Sequence, residues 1–412
     1  MTPTPDTPPT TPVDDAPRRR RLRGARVVTP DAVLDGAIVR LEGARIASIE
    51  PVETASVDTD EIDVDLGGAY LLPGLIDVHA DYIEHMAAPR PTAMLDFRFA
   101  LREAERELIT HGITTMFHSL ALYGFDAFAT NPVRRPGPTR ELIEVVHASH
   151  RFEHVLHHRL HARLEIDDSG RVEEVAGYLR DGKVHLLSFM DHTPGQGQYR
   201  DLETFRRTVK GYKDLDDNDV DALIARSRER VLLDVDTLRA LARVASDHGV
   251  AVASHDDDGE AKVDLAASLG TTISEFPVTL DVARYARSRG LHAVAGAPNV
   301  LLGGSHSGNL SAEEAVLDGA IDVLCSDYYP AALLRAVFAL HARHGGDLAR
   351  FVRLATTHPA VATRIDHETG ALRPGLRADL IAVHVLQDGS PAVTDAFVAG
   401  APVYRARYRT HA

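Results

Sequence analysis

Five stretches of this sequence hold residues that could do chemistry together. In Leu71-Leu72-Pro73-Gly74-Leu75-Ile76-Asp77-Val78-His79-Ala80-Asp81, strand periodicity sets Asp77, His79 and Asp81 on one face. Two ligands spaced two residues apart can grip one cation. In His157-His158-Arg159-Leu160-His161-Ala162-Arg163-Leu164-Glu165-Ile166, one parity carries His157, Arg159, His161, Arg163 and Glu165, and the other is mostly apolar. Turned toward a barrel lumen, that face would leave charges in a dry site unless they met a metal, an anion or one another. The same histidines, with His154, also fit a solvent-facing helix. Residues 186–192 and 250–256 deliver His192 and His255 to strand ends, although either alone is more often a structural histidine. Residues 321–327 deliver Asp327, which beside an activated water could accept a proton or, alternatively, cap the following helix. Imidazoles and carboxylates recurring at several strand ends point to a nitrogen and oxygen metal site, for example Zn or Mn.

Two loops could bind anions. Gly303-Gly304-Ser305-His306-Ser307-Gly308-Asn309 has backbone N–H groups able to cradle phosphate oxygens, or it is a plain turn. Thr193-Pro194-Gly195-Gln196-Gly197-Gln198-Tyr199-Arg200, followed by Lys210 and Lys213, reads as an insertion that could fold over an anion, or as an exposed loop.

These residues need a frame. Apolar runs end near His79, His118, Glu165, His192, His255, Glu275, Pro298 and Asp327, each followed by a helix-like segment. Eight strand-then-helix units predict a (β/α)8 barrel over residues 71–367 with its chemistry at the C-terminal strand ends. A doubly wound open sheet is the alternative. Short alternating runs in residues 23–70 and 368–412 predict a small β-sandwich domain built from both ends of the chain. Residues 1–22, rich in Pro, Thr and Asp, read as a disordered tail, with order beginning at Arg26. Arg18-Arg19-Arg20-Arg21 reads as part of that solvated tail, since no apolar h-region follows.

Composition narrows the function classes. A formal charge of −15 argues against nucleic-acid binding, and no run approaches the ~18–20 apolar residues of a membrane span. The single cysteine, Cys325, fits a reducing compartment, so a cytoplasmic protein is expected, and a homo-oligomer is compatible with the sequence.

The Pro-Gly-Leu-Ile-Asp-x-His-x-Asp element at residues 73–81, the flanking sheet segments and Arg377-Ala378-Asp379-Leu380-Ile381 resemble the amidohydrolase superfamily. Within it, the chain resembles the bacterial diphosphatases of carbon–phosphorus lyase pathways, which act on α-D-ribose 1-methylphosphonate 5-triphosphate. That likeness rests on residues 190–196, 253–257, 275–277, 296–299, 303–309 and 326–330. The resemblance implies one or two divalent cations, Zn with Mn or Mg as alternatives, held by His79, Asp81, Glu165 as a bridging carboxylate, His192, His255 and Asp327. It also implies Asp327 as general base, with His192 as a second catalytic group. Phosphate donors would be Arg159, Arg163, Arg200, Ser305, His306 and Ser307. The commoner superfamily pattern has a second His at the position of Asp81 and a His at that of Glu275. A hydrolase acting on a C–N bond and a non-catalytic barrel are the competing readings; the location of Arg159, Arg163 and the glycine loop discriminates against the first, and metal analysis separates the second.

Overall fold

The structure is a computed structural model, and it describes residues 19–53, 55, 59–122, 131–212, 215–304 and 310–409. The N-terminal segment forms β1 (Arg19–Val28), β2 (Val33–Glu42), β3 (Arg45–Pro51), β4 (Ile62–Asp65) and β5 (Tyr70–Pro73). Eight parallel strands follow: β6 (Leu75–Ala80), β7 (Ile113–Leu122), β8 (His157–Glu165), β9 (Leu186–Met190), β10 (Ala251–His255), β11 (Ile273–Glu275), β12 (His292–Gly296) and β13 (Val323–Cys325). The chain then returns to the first sheet as β14 (Leu380–Val385), β15 (Pro391–Val398) and β16 (Ala401–Arg405). That sheet runs β16-β15-β14-β5-β1-β2-β3, with β4 beside β1, and its two halves meet where Ile381 pairs Leu72.

The first strand begins earlier than the sequence reading placed it. Arg19 to Arg21 belong to β1 and are not a solvated tail. Leu22 is buried beneath them, while Arg19 faces Glu42, Arg21 faces Asp63 and Arg23 pairs with Asp63 and Asp65. Acidic partners from β2 and β4 neutralise a run whose charge alone suggested a solvated segment.

In the barrel, every residue of β7 is buried, as a parallel strand covered on both faces requires. Residues 157–165 form a strand, which settles the choice between strand and helix. Amphipathic helices cover the outside. Phe97–Thr110, for example, starts at Asp96, whose carboxylate accepts the Phe99 N–H at 2.9 Å, and packs Ala100, Leu101, Ala104 and Leu108 inward. Closure comes from the first and last strands. The Asp327 N–H donates to the His79 carbonyl at 2.9 Å, and the Asp81 N–H donates to the Asp327 carbonyl at 2.9 Å. The Asp77 carboxylate accepts the Ser326 N–H at 3.0 Å, and burial pushes that carboxyl up to about 6.

At the opposite end, Asp379 joins barrel to sheet. Buried just before β14, it contacts His157 Nε2 at 3.2 Å and accepts from Arg377 Nε at 2.7 Å, Thr369 Oγ1 at 3.0 Å and the Ala399 N–H at 2.9 Å. Asp379→Ala should therefore lower stability by about 3–5 kcal/mol, since it leaves buried donors and an arginine unmatched. A urea midpoint equal to wild type would show that this carboxylate does not couple the two parts.

Candidate active site and metal centre

The polar face of β8 runs the full height of the barrel. His157 reaches Asp379 at the floor, and Arg159 pairs with Glu368 at 2.7 Å. His161 lies midway, within hydrogen-bond reach of Ser119 Oγ at 3.1 Å and of Ser188. Only Arg163 and Glu165 reach the mouth. Arg159 is therefore a correction to the expected set of phosphate donors: four residues at about 3.3 Å each put it some 13 Å below Arg163. Its guanidinium is engaged at the floor.

At the C-terminal strand ends the expected groups converge in two sets sharing His255. His79, His255 and Glu275 form one, and His192, His255 and Asp256 the other; within each, the candidate ligand atoms lie within 4.8 Å of one another. His79 Nδ1 lies 3.0 Å from Glu275 Oε1, and Ser188 donates to Glu275 Oε2 at 2.7 Å. Burial opposes ionisation of Glu275, but the neighbouring His161 and His79 hold its carboxyl well below the usual carboxylate range. His192 Nδ1 is hydrogen-bonded to Glu165, and its Nε2 faces Asp256 Oδ2 at 3.8 Å. Burial disfavours the His192 imidazolium, yet Glu165 and Asp256 outweigh burial and raise its pKa. Glu165 thus reaches the cluster through His192.

The backbone turns these side chains inward by one repeated device. Asp256, Phe276 and Asp327 have φ of 53°, 56° and 61°, a region that L-residues seldom adopt and that costs of order 1–3 kcal/mol each. Each donates its N–H to the neighbouring strand: Asp256 to the Glu275 carbonyl at 2.8 Å, Phe276 to that of Val294 at 2.9 Å, and Asp327 to that of His79. Barrel hydrogen bonding compensates the strain. The Phe276 ring then lies edge-on to His79, with centroids 4.9 Å apart.

The residues fit a divalent cation. His255 Nε2 is buried with no hydrogen-bond partner among the described residues, which an imidazole facing a cation would need to be. Glu275 and Asp256 enter the candidate ligand sets, although sequence reasoning left them out. Glu275 stood at the end of the sixth run, where the commoner superfamily pattern has a His. Asp81 falls outside both sets: Arg163 NH1 donates to its Oδ1 and Arg134 NH2 to its Oδ2 at 3.1 Å. Asp327 lines the same mouth cavity of about 620 Å3 with His79, Asp81, Arg163, His255 and Asp256. Burial, then the Asp81 charge, pushes its carboxyl up to about 7. Arg200 is exposed and does not line that cavity, whereas Tyr199 beside it does. Ser305, His306 and Ser307 lie outside the described residues.

Two substitutions separate the roles. Asp327→Asn should keep metal content near wild type while turnover falls by about 10²–10⁴-fold, the usual contribution of a general base. His255→Ala should instead lower bound metal, measured by inductively coupled plasma analysis. Unchanged stoichiometry in His255→Ala, or near-normal turnover in Asp327→Asn, would dissolve this division.

An amidohydrolase family model matches residues 70–403. The α-D-ribose 1-methylphosphonate 5-triphosphate diphosphatase of Escherichia coli (strain K12) is 34% identical over 331 residues, spanning 77% of this chain and 84% of that protein. Among solved structures, N-acetylglucosamine-6-phosphate deacetylase from Pasteurella multocida superposes with a TM-score of 0.62 at 13% identity, covering 93% of this chain and 99% of that one. Dihydropyrimidinase from Brevibacillus agri NCHU1002 superposes with a TM-score of 0.61 at 14% identity, covering 94% and 96%.

Proposed function

The chain belongs to the amidohydrolase family, and from that premise we propose that it hydrolyses α-D-ribose 1-methylphosphonate 5-triphosphate to the 5-phosphate and pyrophosphate. The observation that carries this reading is the 34% identity to the E. coli diphosphatase across most of both chains. Arg163 at the mouth supports it, because a hydrolase of neutral amides has no need of a buried guanidinium beside its cation site.

A divalent cation, zinc in this reading, supplies charge neutralisation for phosphoryl oxygens and lowers the pKa of an attacking water. His79, His255 and Glu275 would hold it, with His192 and Asp256 beside His255 for a second ion. Glu165 fixes the His192 ring through Nδ1, and so sets which nitrogen faces the cluster. Asp327, its carboxyl near neutrality, takes the proton from water as the new P–O bond forms and the anhydride P–O bond to pyrophosphate breaks. Arg163 meets charge developing on the phosphoryl oxygens. Among the described residues no helix is long and apolar enough to cross a membrane, and with the buried thiol of Cys325 this fits the cytoplasm.

Phosphorus NMR of the reaction tests the reading. With the ribose triphosphate the expected products are pyrophosphate and a 5-monophosphate, with no diphosphate intermediate accumulating. Stepwise orthophosphate release would overturn the pyrophosphate-releasing reaction, and turnover of cyclic amides alone would replace it with the C–N reading.

A further inference from the structure

A second cavity, of about 310 Å3, lies where the loop after β9 meets the end of the helix Asp217–Arg228. Thr193, Pro194, Ser227, Arg228, Arg230 and Leu232 line it. Residues 193–196 follow His192 directly, so at ~3.8 Å per residue Gln196 lies no more than about 15 Å from that imidazole's backbone. The opposite wall is tied to the end of β8, because the Leu233 N–H donates to the Ile166 carbonyl at 2.6 Å. One loop serves both cavities: Tyr199 lines the mouth cavity, Thr193 and Pro194 line this one, and the Gly195 N–H donates to the Tyr199 carbonyl at 2.9 Å.

The charge of this second cavity is one-sided. Its lining among the described residues holds two arginines and no acid, in a chain of formal charge −15, so it draws anions. Arg230 forms an ion pair with Asp167. Arg228 pairs with no acid among the described residues, and its Nη2 sits 3.3 Å from where a Cβ on Gly195 would stand. Gly195, with φ of 101°, lets the loop pass beneath that guanidinium. The helix that carries Arg228 is held by an apolar cluster of its own, in which Tyr199, Phe205, Val209, Val220 and Ile224 pack together.

We infer that this cavity holds the phosphonate end of the substrate, with Arg228 and Arg230 on its oxygens and Pro194 and Leu232 against its alkyl group, which makes Arg228 a specificity residue. An alkylphosphonate has an oxyanion and an apolar face, and the cavity offers guanidiniums beside proline and leucine. Pyrophosphate is polar all round. Arg163 already meets the triphosphate at the mouth, and the ribose separates the two charged ends of the substrate. The inference rests on the phosphoanhydride reading for that placement, but the preference of the cavity can be tested without turnover.

Calorimetric titration of the metal-loaded full chain with methylphosphonate makes that test, with pyrophosphate as the comparison. Arg228→Gln should weaken methylphosphonate binding by roughly tenfold, the usual loss of a hydrogen bond to a charged group, at unchanged pyrophosphate affinity and metal content. Arg228→Lys should recover part of the loss. In turnover, Arg228→Gln should raise KM for the ribose methylphosphonate triphosphate more than it lowers kcat, and leave KM for ribose 5-triphosphate, which lacks the phosphonate, at wild type. Unaltered methylphosphonate binding in Arg228→Gln would overturn the inference, as would a loss confined to pyrophosphate, which would give the cavity to the triphosphate end. A lower thermal midpoint with equal KM changes for both substrates would also overturn it, leaving Arg228 as a cation that complements the end of its helix. Failure to hydrolyse either triphosphate would count against the proposed reaction, and the titrations would still read the cavity.

Discussion

Two backbone hydrogen bonds between the ends of the first and last barrel strands set the geometry on which this site depends. By pairing Ala80 with Asp327, they bring a residue from position 79 and one from position 327 to adjacent points on the rim. Closing an eight-stranded parallel sheet also fixes the register of every strand between them. The ends of β8, β10 and β11 then stand opposite β6, and imidazole and carboxylate groups more than 190 residues apart, such as His79 and Glu275, come within hydrogen-bond distance. Without closure these would be isolated buried polar groups, each unfavourable to folding.

Burial and charge are balanced unevenly around the rim, and the imbalance distributes the chemistry. Asp327 has acidic neighbours and little compensation, so burial dominates and its carboxyl rises to about 7. Burial also opposes ionisation of Asp81, yet Arg163 and Arg134 override it and bring that carboxyl down to about 2. One carboxyl is thereby suited to exchanging a proton near neutrality, and the other stays anionic on its arginines. The left-handed backbone at Asp256, Phe276 and Asp327 belongs to the same arrangement, since it directs side chains inward at the points where strands become loops.

Much of this was legible in the sequence because strand parity is a strict period. Alternation in residues 157–165 identified a polar face, and seven of the eight run ends fall within two residues of a strand end, the exception being His118, which lies four residues inside β7. Parity does not report height within the barrel. Arg159 and Arg163 share a face, but one lies at the floor with Glu368 and the other at the mouth with Asp81. Nor does local pattern reveal partners chosen by closure and by helix packing. Arg134 follows a proline-containing turn with no motif, and only its 53-residue reach to Asp81 gives it meaning. The early start of β1 was hidden for a similar reason, as its arginines are matched by acids on β2 and β4.

The central claim is that the cation site is built on His255, with His79 and Glu275 in one candidate set and His192 and Asp256 in the other. Anomalous diffraction at the metal edge, from crystals of the full chain grown with zinc or manganese, tests this most directly. The account predicts a peak within bonding distance of His255 Nε2, flanked by one or both of those pairs. A peak lying away from His255 would contradict it.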